Sequence, residues 1–158
     1  MELKTLFGLP AHPLIVHAAV VLLPLAAIAT IFTAAIPRAR RHYAPIAFGL
    51  ALAATIAVGL AQGSGEALEE KVDRTQLVRD HTGQAENVLP WAIGVTVVSG
   101  LVAGWPFIAK RRPTLPTKPI TAALVVVSLV SGTGATWTVI EVGHSGAKAT
   151  WSDVDETP

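Results

Sequence analysis

Four long apolar runs, separated by short polar segments, dominate the pattern of this chain. Thr5 to Pro37, His42 to Gly65, Asn87 to Ala109 and Pro119 to Ile140 contain no Asp, Glu, Lys or Arg. Each is about 22 residues or longer, and a tilted helix needs roughly 20 to cross a hydrocarbon core. The runs predict four membrane-spanning helices, at about Pro13 to Ile36, Tyr43 to Ala61, Val88 to Ile108 and Ile120 to Val142. The segment between the second and third is polar, but Leu68, Val72, Leu77 and Val78 recur at roughly helical spacing, which predicts a short amphipathic helix on the surface. The expected architecture is an all-α, integral membrane four-helix bundle over residues 1–144, followed by a flexible polar tail over 145–158.

Charge sharpens this picture. Arg38, Arg40 and Arg41 separate the first two runs, and Lys110, Arg111, Arg112 and Lys118 separate the last two, with no acidic residue in either place. Short basic loops stay in the cytoplasm. Both termini and the segment from Glu66 to Glu86 are then expected outside, together with all 11 acidic residues and four of the five histidines. A net charge of +1 conceals this polarity. The expected location is the bacterial plasma (inner) membrane. The first run is too long for a secretory signal and its positive charges follow it rather than precede it, so it is expected to remain as a helix.

Within the spans, Pro24 predicts a kink in the first helix, and the Ala and Gly residues of the second predict close helix contacts. Trp91 and Trp137 are expected near the outer interface and Trp105 near the inner one. The chain has no cysteine, which excludes disulfides, thiolate metal sites, iron–sulfur clusters and thioether-linked haem. Any cofactor is therefore held by nitrogen or oxygen. Nucleic acid is not an expected partner, because membrane orientation already accounts for the basic clusters.

The candidate chemistry lies at the acidic end. His17 stands about four residues into the first helix, where an ionisable side chain normally faces the bundle interior and marks a site. His12 precedes Pro13; His81 enters the third span with Glu86 five residues on; Glu141 and His144 close the fourth as E-x-x-H, a pairing also found once per helix in di-iron bundles. Asp80, Glu86 and Glu66 are available to accept a hydrogen bond from the second nitrogen of a metal-bound imidazole. His42 lies at the basic end and is excluded. A faint internal echo relates His12 and His17 to His81 and Glu86, and Ser64, Gly65 and Ala67 to Ser145, Gly146 and Ala149. It suggests two helical hairpins in parallel orientation.

The segment His12-Pro13-Leu14-Ile15-Val16-His17 and its following apolar helix resemble the opening of the bacterial four-helix integral membrane family known as domain of unknown function 2231. The likeness continues through Ser64-Gly65-Glu66, His81 with Glu86, and Gly143-His144-Ser145-Gly146, and covers nearly the whole chain. Ala18 and Ala19 stand where the family more often has an aromatic residue and proline. The resemblance implies a bundle with an outward-facing histidine set and does not itself supply a reaction.

Three functions are weighed. The leading expectation is a b-type haem protein with bis-histidine ligation near the outer leaflet and a role in electron transfer. His17 and His81 are its preferred axial pair, with His12 and His144 as substitutes, and Lys71, Arg74, Arg79 and Lys148 are available to the propionates. The second is a non-haem site for zinc, copper or iron, built from His12, His17, His81 and His144 with Glu66, Glu86 or Glu141. The third is an accessory subunit of a larger membrane complex. The lipid bilayer is the expected surrounding, and a redox partner or a second copy of the chain are further partners considered. An electron carrier or binding protein is expected over a catalyst, because Ser64, Ser99 and Ser131 have packing or loop roles and no nucleophile–base pair is legible.

Overall fold

A computed structural model describes residues 5–6, 9–69, 72–73 and 75–151. A short antiparallel pairing of β1 (Thr5–Leu6) with β2 (Leu9–Pro10) precedes the helices. They are α1 (Ala11–Ala35), α2 (Pro37–Glu69), α3 (Gln76–Ala85), α4 (Val88–Arg111) and α5 (Thr117–Trp151). The helices α1, α2, α4 and α5 are the spans that the apolar runs predict, each with the length and hydropathy to cross a membrane. The short amphipathic helix expected between the second and third spans is α3.

The expected basic loop between the first two spans is not a loop. Only Ile36 separates α1 from α2, and Arg38, Arg40 and Arg41 lie in the opening turns of α2. Pro37 explains the corner: it drives the preceding residue out of the helical region, and a proline tolerates the start of the next helix. Having no N–H, Pro37 also cannot bond the Thr33 carbonyl four residues back. Arg40 fills that vacancy, donating from Nε to the Thr33 carbonyl at 3.2 Å and from its terminal nitrogen to the Ala34 carbonyl. Arg40 is thus buried, 5% exposed, as a cap on α1, whereas Arg38 and Arg41 are exposed.

The four long helices form a ring in the order α1, α2, α4, α5, closed by α5 against α1, and α3 packs on α5. The interior is made of small side chains. Ala19, Leu23, Ala26, Ala51, Ala54, Ala92, Val95 and Ala135 form one cluster, and Ala34, Ala44, Val98 and Val102 a second. Larger apolar residues such as Val21, Ile28, Ile46, Ile56, Phe107, Val130 and Trp137 point outward. Lipid is as apolar as the core, so helices associate by close packing of small residues while bulky ones meet the acyl chains. Gly134 shows how close that packing is, since a Cβ there would stand 2.4 Å from the Trp91 ring. Trp91 is half-buried and Trp105 buried; of the three belt tryptophans considered, only Trp137 faces outward. The helix α1 runs through Pro24 without interruption.

Several hydroxyls inside the bundle bond their own helices, as Thr30 does to the Ala26 carbonyl (2.7 Å) and Ser128 to that of Leu124 (2.7 Å), whereas the buried Ser99 hydroxyl has no partner among the described residues. Thr55 instead crosses to α4, donating to the Ala92 carbonyl at 3.0 Å and meeting Thr96 Oγ1 at 2.8 Å.

The lengths of α2 and α5 position the functional end. At 33 and 35 residues and 1.5 Å per residue they reach about 50 Å, well beyond the roughly 30 Å hydrocarbon core. The overshoot of α2 carries Ser64 and Gly65, and that of α5 carries Ser145 and Gly146. Residues 145–151, expected within the polar tail, are therefore helical; residues 152–158 lie outside the described part.

Candidate functional site

Two histidines are clasped to helix ends at the acidic end of the bundle. His12 stands in the first turn of α1, immediately before Pro13, and its half-buried ring reaches the end of α2, where Nδ1 is hydrogen-bonded to Ser64 Oγ at 2.9 Å. His81 stands in the middle of α3. That helix is started by Thr75, whose side chain accepts from the Val78 N–H at 3.3 Å, a frequent way of satisfying an unpaired first-turn donor. The half-buried His81 ring reaches the end of α5, with Nδ1 hydrogen-bonded to Ser145 Oγ at 3.1 Å. Gln62 secures the arrangement from α2, donating to the Ala85 carbonyl at 2.8 Å where α3 meets α4.

The two arrangements repeat each other atom for atom. Ser64 donates to the Ala61 carbonyl at 3.0 Å and Ser145 to the Val142 carbonyl at 3.1 Å, in each case three residues back. A glycine follows each serine and lets the ring approach the backbone. A Cβ on Gly65 would stand 3.1 Å from His12 Cε1, and one on Gly146 would stand 3.0 Å from His81 Cε1. The internal echo in the sequence thus corresponds to two histidine–serine–glycine clasps, one closing α1 onto α2 and the other α3 onto α5.

The remaining expected ligands are placed apart from this pair. His17 is exposed, and its Nδ1 is tied to its own helix at the Pro13 carbonyl, 2.6 Å away. Its ring does not face the bundle interior, because position 17 falls on the outer side of α1 while Ala19 and Leu23 take the buried side. His144, Glu141, Glu86, Glu66 and Asp80 are exposed; Asp80 accepts from Gln76 at 2.7 Å. His42 is exposed at the basic end beside Tyr43. Among the described residues no three His, Asp or Glu side chains gather closely enough to hold a metal ion between them. Of the cations considered for propionates, Arg79 and Lys148 are exposed; Lys71 and Arg74 lie outside the described residues.

Sequence reasoning singled out Ser64, Gly65, Ser145 and Gly146 as a repeat but did not join them to the histidines. The usable signal was that His12 with Ser64-Gly65 and His81 with Ser145-Gly146 recur in the same order in both halves. Arg40 as a helix cap was likewise missed, although Pro37 already implied an unpaired carbonyl at Thr33.

Residues 8–156 fit the model of a family described as predicted membrane protein, DUF2231. No curated protein and no solved structure matches the chain.

Proposed function

The chain belongs to that family, and from this premise we propose that it is a membrane haem protein of the b type, with His12 and His81 as the axial ligands and electron transfer as its role. The observation that carries the reading is the pair of clasps: two imidazoles from different helices, each anchored through Nδ1 to a serine, at the same end of the bundle. His12 takes the place first expected of His17, whose ring is turned to the outside and bound to its own backbone.

The donor set fits a haem better than a bare ion. A haem would need only two protein ligands, and the His12 and His81 imidazoles would supply them. A structural zinc site wants four ligands from the protein, and the described residues gather no third ligand beside the pair. Haem would supply one-electron exchange. The protein's part is to hold the two rings, to keep their second nitrogens hydrogen-bonded, and to offer Arg79 and Lys148 as cations at the same end of the molecule. The basic clusters at the other end support an orientation with the acidic end and both termini outside the bacterial plasma membrane. In that setting a soluble redox partner or a larger membrane complex meets the exposed acidic surface.

Absorbance of the detergent-solubilised protein, oxidised and then reduced with dithionite, tests the proposal. A Soret band and a sharpened reduced spectrum are expected, both lost in the His12→Ala, His81→Ala double variant. A colourless protein from haem-replete cells that stays colourless on reconstitution overturns it. Stoichiometric zinc, copper or iron by elemental analysis in such a preparation would instead support the non-haem reading.

A further inference from the structure

The proton positions at the two clasps follow from the hydroxyls. A serine has one O–H and two acceptor lone pairs. Ser64 commits its hydrogen to the Ala61 carbonyl and Ser145 commits its own to the Val142 carbonyl. Each serine can then only accept from the ring that meets it, so the ring nitrogen must carry the proton. A neutral imidazole with its proton on Nδ1 keeps its lone pair on Nε2.

The glycine contacts fix how each ring is seated. Measured from a Cβ on Gly65, His12 Cε1 is nearest at 3.1 Å, Nδ1 follows at 3.7 Å and Nε2 at 4.0 Å. From Gly146 the His81 distances are 3.0, 3.3 and 3.6 Å in the same order. Both rings therefore meet the helix by Cε1, with a nitrogen on either side and Nδ1 the nearer of the two.

We infer that Ser64 and Ser145 are positioning residues that fix His12 and His81 in the Nδ1–H form and leave Nε2 of each as the ligand atom. In its functional consequence this rests on the bis-histidine reading; in its proton assignment it does not. A neutral hydroxyl also draws less on the Nδ1–H than a carboxylate would, so the ligands are held without the added basicity that a carboxylate partner confers.

Nitrogen-15 NMR of the haem-free protein, labelled at histidine, tests the assignment directly. In the wild type both His12 and His81 are expected with the proton on Nδ1. Ser64→Ala should release His12 alone toward the Nε2–H form and Ser145→Ala should release His81 alone, while Ser64→Thr, which keeps the hydroxyl, should preserve the wild-type signal. In haem-loaded protein Ser64→Asp should shift the midpoint potential downward. A wild-type protein with Nε2–H at either ring overturns the inference, as does a folded Ser64→Ala variant with an unchanged His12 tautomer. The expected tautomers without a Soret band would leave the inference standing and remove the haem reading, so the two failures are distinguishable.

Discussion

The hairpin of α1 and α2 and the one formed by α3, α4 and α5 reach the same end by different routes. In the first, the histidine belongs to the opening turn of the spanning helix itself; in the second, it is carried on a separate helix of 10 residues packed against α5. The serine, the glycine and the carbonyl three residues before the serine are nonetheless arranged alike. The connection to the ring differs and the seat of the ring does not. That contrast places the shared geometry in the last turns of α2 and α5, which project beyond the apolar spans, and not in the histidine-bearing segments alone.

If the two seats are equivalent, removing either ring should have the same large effect. His12→Ala and His81→Ala are each expected to abolish the bis-histidine absorption spectrum, and a spectrum left intact by one of them would break the equivalence. Crowding the seats comes next. Gly65→Val and Gly146→Val push a branched side chain into the space of the ring, and haem occupancy, measured by the pyridine haemochromogen assay, should fall by similar factors in both.

A smaller effect should separate the hairpins. Gly134 in the second is pressed by Trp91, whereas the equivalent of Gly134 in the first is Ala53, which is exposed. Gly134→Ala should destabilise the protein by about 1–3 kcal/mol, the usual range for overpacking, while Ala53→Leu should be nearly neutral; thermal unfolding in detergent measures both. The smallest effect belongs to the joint between the hairpins. Thr55→Val removes the hydroxyl that α2 sends to α4, and interhelical hydrogen bonds in membranes average about 0.6 kcal/mol. A double-mutant cycle with Thr96→Val should return a coupling of that order.

Much of the fold was legible because the bilayer imposes it. A run without charged residues long enough to cross the hydrocarbon must satisfy its backbone internally, which leaves a helix as the solution for most of Thr5 to Pro37, where α1 covers Ala11–Ala35, and for Asn87 to Ala109. The ends were less legible. Nothing in the apolar pattern stops α2 at Ala61 or α5 at Val142, because beyond the core a helix continues on propensity and packing, and both run on as helices that carry the serines. The site was legible only as a set of residue types. His17 drew attention by its depth, but a shift of two positions on a helix turns a side chain about 200°, and the register that buries Ala19 leaves His17 outside.

The sequence by itself determined the four spans, the separation of basic and acidic ends, the surface helix before the third span and the repeated histidine and serine–glycine pairs. These depend on composition and period, which are local properties of the chain. Which histidines meet, and through which nitrogen they are held, was decided by tertiary structure alone. A ring contact joining residues 12 and 64, or 81 and 145, exists only after separate helices have packed, and it depends on the absence of a Cβ at Gly65 and Gly146 as much as on the presence of the imidazoles.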